Sequence, residues 1–175
     1  MHPSSMNNMA KMLEMVLTDD MTSKPFTIID YGGRKIGDHQ SYFSLPILQK
    51  QTNLTYKGLD LERGPGVDIV LTDPYNSPIA DNSIDIVISG QMFEHNEMFW
   101  LTFKDIERIL KPGGSACIVV PSGGLVHRYP VDCWRFYPDS YAALAKWTGM
   151  DLIYAHHDLT GNPVWQDMCG ILRKK

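Results

Sequence analysis

Thr27-Ile-Ile-Asp-Tyr-Gly-Gly-Arg-Lys-Ile-Gly37 is the stretch whose reading decides the fold. Its apolar residues read as a buried strand closed by an acid. The glycines that follow let the backbone turn sharply and approach a ligand with no Cβ in the way. In open α/β sheets ligands sit outside the carboxyl ends of the strands, so Asp30, Gly32 and Gly33 are expected to hold a cofactor.

Working outward, Met6, Met9, Leu13, Val16 and Leu17 recur at three- and four-residue steps and predict an amphipathic helix ending near Thr18-Asp-Asp20. Its apolar face either packs on the sheet or forms a lid over the cofactor. Ser41 to Asn53 is expected to be a crossover helix with Pro46 in its first turn or at a kink. Strands are expected over Leu54 to Leu61, Val67 to Thr72, Ser83 to Ser89 and Ser115 to Pro121. From Glu97 to Leu110 the residues Trp100, Phe103, Ile106 and Leu110 share one helical face, and Pro112 stops that helix. Pro138-Asp-Ser140 opens a last helix that Gly149 ends, before strands at 151–157 and 165–173. Alternating strands and helices imply an α/β, Rossmann-like, mostly parallel sheet with helices on both faces. Asp30, Asp60, Asp73, the segment Gln91 to His95 and the loop after Pro121 should then meet at one edge.

The chain of 175 residues, 43% hydrophobic and 21% charged, suits one domain over 1–175. Within it, 1–20 is the amino-terminal helix, 26–121 the cofactor-binding core and 122–175 the acceptor loop with the final helix and strands. A net charge of −4 opposes binding of long nucleic acid through its phosphates. Cys117, Cys133 and Cys169 are far apart and form no Cys-x-x-Cys pair, which indicates neither a disulfide framework nor a zinc site and fits a reducing cytoplasm. No membrane span or signal-peptide pattern is read.

A dinucleotide site would show Gly-x-Gly-x-x-Gly, but here Gly32 and Gly33 are adjacent and the next glycine is Gly37. Asp60 lies 27 positions beyond Gly33, where the dinucleotide pattern expects its acid after about 20. A carboxylate there can accept from both hydroxyls of a ribose, so a nucleoside without pyrophosphate is the better match.

Several stretches in order resemble the class I S-adenosylmethionine-dependent methyltransferases, especially the type 11 methyltransferase domain family. They are Ile29-Asp-Tyr-Gly-Gly33, Gly58-Leu-Asp60, Asp73 with Ile79-Ala-Asp-Asn-Ser-Ile-Asp-Ile-Val-Ile88, Glu94-His95 and Leu110-Lys-Pro-Gly-Gly114. The resemblance implies seven strands with the last antiparallel, and S-adenosyl-L-methionine as cofactor. It places Asp30, Gly32 and Gly33 by the amino acid end of that cofactor, Asp60 on the ribose and Asp73 on the adenine amino group. Leu61 and Pro74 then touch the ring faces, and Gln91 lies near the sulfonium. Where the family usually has a further glycine this chain has Lys35, preceded by Arg34. Those cations must face solvent or the methionine carboxylate. The local alternatives are a helix cap at Asp60 and an Asx-turn at Asp73.

His127-Arg-Tyr-Pro-Val-Asp-Cys-Trp-Arg-Phe-Tyr-Pro138 follows the fifth strand and is the expected acceptor site. Trp134 would form a wall, and Arg135 would clamp a phosphate or carboxylate beside Asp132 and Glu94. The alternative reading has Trp134 and Phe136 plugging the core while Asp132 and Arg135 pair locally. His95 or His127 is the candidate general base, with a capping or supporting role the alternative for His95. His156 and His157 point to opposite faces of their strand, so no metal site is assigned. The expected activity is methyl transfer to a small or medium-sized soluble acceptor. Similar stretches in type 11 relatives linked to glycan assembly make a glycan or metabolite the implied class. A nicotinamide-dependent oxidoreductase and a non-catalytic binding module stay open as alternatives.

Overall fold

A computed structural model describes residues 2–38 and 40–175 of the chain. Seven strands form one sheet: β1 (Phe26–Tyr31), β2 (Leu54–Asp60), β3 (Ile69–Val70), β4 (Ile84–Gly90), β5 (Leu110–Pro121), β6 (Asp151–His157) and β7 (Asp167–Arg173). Their order is β3-β2-β1-β4-β5-β7-β6. The first five run parallel, and β7 is antiparallel to both β5 and β6. This is the expected Rossmann-like topology with its last strand reversed. The chain winds outward from β1 in one direction and resumes at β4 in the other, which opens a crevice between the carboxyl ends of β1 and β4.

Side chains alternate across a strand, so a sheet covered on both faces needs continuous apolar runs. Ile29, Val87, Ala116 and Ile118 pack against Phe103, Ile106 and Ile109 of α4 (Phe99–Ile109) and Tyr141 and Leu144 of α5 (Ser140–Thr148). On the other face Ile28, Ile86, Ile88, Cys117 and Val119 meet Met9, Met12, Leu13 and Val16 of α1 (Pro3–Val16). Each such large side chain contributes about 1.5–3 kcal/mol when fully buried. The methionine-rich helix therefore covers the sheet, while His2 and Pro3 at its start reach the rim of the crevice. Among the described residues no helix is long and apolar enough to cross a membrane.

Three segments differ from expectation. The crossover over 41–53 contains only a 3₁₀ turn, Tyr42–Ser44, and α3 (Pro46–Gln49), after α2 (Asp19–Thr22) earlier in the chain. Pro46 has no N–H to donate, so it begins a helix rather than lying within one. The third strand shrinks to two residues, because Asp68 turns its carboxylate to the Gly58 amide at 2.8 Å. The helix expected to end at Leu110 stops at Ile109, and Leu110 already pairs with Ile84.

No helix separates β3 from β4 among the described residues, and the loop over 71–83 is held instead by side chains of α4, Thr102 on the Pro74 carbonyl at 3.1 Å and above all Arg108. Arg108 donates to the carbonyls of Ser77 and Ile79 at 2.9 and 2.7 Å and pairs with Asp81 and Asp105. Arg108→Ala is expected to cost about 1–3 kcal/mol, the range for lost charge-assisted bonds. Thermal and urea unfolding would measure this, with Arg108→Lys recovering little because an ammonium lacks the planar fork.

Candidate active site

A cavity of about 750 Å³ occupies the crevice. It is within the size range of small-molecule sites. Asp30, Gly32 and Gly33 line it from the end of β1, Asp60 and Leu61 from β2, Pro74 from the loop after β3, and Gln91 from the exit of β4. His95 and His127 stand at the other side of the same space. Nine of the residues singled out in the sequence, distant along the chain, thus share one cleft.

The glycine turn is built by close approach. Gly32 has φ +83, and a Cβ there would lie 2.5 Å from Met92 Cγ. Its amide and that of Gly33 both donate to the Leu59 carbonyl, at 2.7 and 3.1 Å, which ties the turn to β2. Asp60 accepts from the Arg34 amide and the Glu62 amide, each at 3.2 Å, so its carboxylate is oriented by backbone and keeps acceptor capacity for the cleft. The Arg34 guanidinium pairs with Glu62, which offsets the cation expected to oppose a sulfonium.

Asp30 is buried and accepts from the Tyr56 hydroxyl at 2.6 Å. Burial pushes its carboxyl up to about 7 against the opposing effect of that bond. Gln91 adopts φ 55, and its side-chain amide donates to Asp167 at 2.9 Å. Asp167 is wholly buried and also accepts from Ser4 and Asn8 of α1, linking that helix to the cleft. Met92, within the expected segment Gln91 to His95, lines it too, and Leu71, Tyr75 and Trp165 line it without being expected from the sequence, as is true of Asp167 behind Gln91. An acid opening the otherwise apolar run Met168 to Leu172 was the one available signal for Asp167.

Asp73 does not line the cavity. Its carboxylate accepts from the Tyr75 amide at 2.8 Å in an Asx-turn, the local use open to a short acid two residues before a free N–H.

The acceptor assignments also change. Arg135 forks onto Asp132, with Nη1–Oδ1 at 2.6 Å and Nη2–Oδ2 at 2.8 Å, and donates to the Leu125 and Trp134 carbonyls. The pairing holds the Asp132 carboxyl far below its usual range. Trp134 donates to the Asn96 carbonyl at 3.0 Å and packs edge-on to Phe99. None of these three lines the cleft: Asp132 and Arg135 satisfy one another within the loop, and Trp134 turns to the segment that leads into α4. Glu94 is 0% exposed and lies beneath the surface of the cleft rather than on it. Burial pushes its carboxyl up to about 8, and its backbone carbonyl receives the Cys133 and Trp134 amides. The loop from Pro121 therefore reaches the cleft through His127, Tyr129, Pro130 and Val131.

His95 and His127 meet edge to face with ring centroids 4.7 Å apart, and His127 packs on Trp165 at 4.5 Å. His95 Nδ1 lies 2.7 Å from the Val131 carbonyl. A carbonyl only accepts, so Nδ1 carries the proton and Nε2 presents its lone pair. Burial lowers the pKa of this ring.

A crevice lined by a glycine turn after β1 and an acid after β2, on a sheet with a reversed last strand, is the arrangement of the class I methyltransferases. The family model described as a methyltransferase domain matches residues 47–118. That match spans 72 of the 175 residues, and together with the fold it supports a class I S-adenosylmethionine-dependent methyltransferase. No curated protein matches it in sequence.

Solved structures share the fold at low identity. The Burkholderia thailandensis 1,6-didemethyltoxoflavin-N1-methyltransferase, with bound 1,6-didemethyltoxoflavin and S-adenosylhomocysteine, superposes with TM-score 0.69 at 13% identity, over 98% of this chain and 80% of that one. An Aquifex aeolicus S-adenosylmethionine-dependent methyltransferase gives TM-score 0.64 at 15% identity, over 98% and 92%. One from Mesorhizobium loti gives 0.66 at 13%, over 95% and 98%.

Proposed function

We propose that the protein moves the methyl group of S-adenosylmethionine to a small or medium-sized soluble acceptor, glycan- or metabolite-like in class, held between Gln91 and the His95–His127 pair. The observation that carries this reading is the single cavity running from Asp60 to the two histidines. The methyltransferase from Burkholderia thailandensis, which holds a small heterocycle beside its cofactor product, supports an acceptor of that size.

In this reading Asp60 binds the ribose and Leu61 and Pro74 flank the adenine. Asp30, with Gly32 and Gly33, holds the amino acid end, and Gln91 lies near the sulfonium. The methyl is already activated, so holding the acceptor atom in line supplies much of the rate enhancement. His95 and His127 act on the acceptor's proton when the attacking atom carries one. Three free thiols, two of them buried, accord with residence in a reducing cytoplasm.

Calorimetric titration tests the cofactor half. S-adenosylhomocysteine is expected to bind and NAD is not; binding of NAD alone would support an oxidoreductase, and binding of neither a non-catalytic module. The pH dependence follows from Asp30. Its folded pKa of about 7 lies above its ordinary value of 3.8, so its contribution to stability is fully present below about 4 and is lost as pH rises through about 7. A ligand ammonium beside it favours the carboxylate. Affinity for S-adenosylhomocysteine is therefore expected to tighten between pH 6 and 8 with release of a proton, and Asp30→Asn to flatten the profile. An unchanged profile in that variant would remove Asp30 from the ligand's charged end.

A further inference from the structure

Glu94 is a buried acid with no hydrogen-bond partner on either carboxylate oxygen. Unpaired burial of that kind is costly, and such a group calls for a positive charge. Two imidazole nitrogens face it, and the Arg135 guanidinium acts on it without a hydrogen bond. His95 Nε2 is 3.6 Å from Glu94 Oε1, and His127 Nε2 is 4.0 Å from the same oxygen. Both separations are too long for hydrogen bonds. One ligand atom from each residue lies within 4.8 Å of the others. An ion bound tetrahedrally at about 2.0–2.1 Å from each ligand would bring those ligand atoms to about 3.3 Å, a contraction of up to about 1.5 Å.

The far side of the His95 ring is arranged as that of a metal-bound histidine is. His95 gives its Nδ1–H to the Val131 carbonyl at 2.7 Å, which turns the lone pair of Nε2 inward. His127 places Nδ1 3.3 Å from Asp132 Oδ2, and that carboxylate is locked by the Arg135 fork and by the His127 amide at 2.7 Å. The carbonyl behind His95 is an outer partner of the kind that fixes tautomer and ring orientation at metal sites, and the Asp132 carboxylate stands at ion-pair distance behind His127 without a hydrogen bond to Nδ1. The Asp132–Arg135 pair that was read as an acceptor clamp thus has a different use.

We infer that Glu94, His95 and His127 form a binding site for one divalent transition-metal ion, zinc(II) being the best match, with an open coordination position facing the cleft. Two imidazoles and one carboxylate suit zinc better than magnesium or calcium, which prefer all-oxygen sets. Glu94 lies below and the two histidines line the cavity, so the remaining position is on the cavity side. Three protein ligands with one position left open is the pattern of reactive rather than purely structural zinc.

Metal binding stands by itself, but its use in the reaction rests on the methyl-transfer reading. On that reading the acceptor is a metal-binding hydroxyl compound. Coordination lowers the hydroxyl pKa, and the proton leaves to solvent. The oxygen then forms a bond to the methyl carbon while the C–S bond breaks, its electron pair remaining on sulfur to give S-adenosylhomocysteine. The histidines then act on the acceptor's proton through the ion that they hold, by lowering the hydroxyl pKa.

The test uses the untagged full chain, stripped with EDTA, dialysed and titrated with zinc(II) by calorimetry and with cobalt(II) by visible absorption. Wild type is expected to bind one zinc ion per chain and to give intense visible cobalt bands. His127→Ala and Glu94→Gln should weaken zinc binding at least 100-fold, while a His156→Ala/His157→Ala variant binds as wild type does. Should Glu94→Gln not fold, the partly exposed His127→Ala carries the comparison. Absence of stoichiometric binding, equal affinity in the folded site variants, or loss in the His156/His157 variant would overturn the assignment. S-adenosylhomocysteine is titrated in parallel. A chain that binds it but not zinc defeats only the metal site, and a chain that binds zinc but not S-adenosylhomocysteine defeats only the cofactor reading.

Discussion

Gly32→Ala is expected to lower affinity for S-adenosylhomocysteine on the order of 100-fold, the equivalent of about 2.7 kcal/mol. The backbone at Gly32 has φ +83, a region that costs an L-residue about 1–2 kcal/mol. The added Cβ would also stand 2.5 and 2.8 Å from Met92 Cγ and Cβ. The Met92 side chain can rotate away from the first contact, but its Cβ is fixed to the backbone at the exit of β4. The glycine turn must then shift, at an overpacking cost of about 1–3 kcal/mol. That turn is a wall of the cleft, so the displacement appears in binding as well as in stability. Gly113→Ala is the control. Gly113 has a similar φ of +81, with nothing within 4 Å of a built Cβ. It should lose about 1 kcal/mol of stability and bind the ligand normally. Native affinity in Gly32→Ala would show that the turn does not touch the cofactor.

Asp60→Ala is expected to weaken S-adenosylhomocysteine about 10–100-fold, since a hydrogen bond to a charged group contributes about 1.5–3 kcal/mol. The carboxylate is oriented by the Arg34 and Glu62 amides before any ligand arrives, so little ordering is left for binding to supply. Removing it also leaves the Arg34 and Glu62 amides without that acceptor. Asp60→Asn should lose less, because one oxygen can still accept from a ribose hydroxyl. Comparing S-adenosylhomocysteine with its 2′-deoxy analogue checks the assignment. The deoxy compound should be weak on wild type and barely distinguished by Asp60→Ala. An equal preference in both proteins would place Asp60 away from the ribose.

The parallel core, the strand-end acids and the glycine turn were legible because each depends on local grammar. An apolar run of five or six residues bounded by Gly, Asp or Pro reads as a buried strand, and right-handed crossovers then force the strand ends to one edge. Asp30, Asp60 and Gln91 follow from that rule with no contact known in advance. The short crossover was partly legible through Pro46, whose missing N–H limits where a helix can begin.

Side-chain partners were not legible in this way. Nothing in the spacing of Asp132 and Arg135 distinguishes a clamp for a ligand from a pair that locks a loop, and Asp73 was equally ambiguous between adenine and its own backbone. Asp167 shows the same limit, since its partners Ser4, Asn8 and Gln91 lie more than seventy residues away. By itself the sequence determined which stretches are strands, the apolar face of the main helices and the edge to which the strand ends point, because those depend on periodicity and chirality. The tertiary structure alone decided which charges meet: Glu94 under two histidines, and Arg135 on Asp132 instead of on an acceptor. Electrostatic pairing acts across ångströms in space, and chain separation carries no record of it.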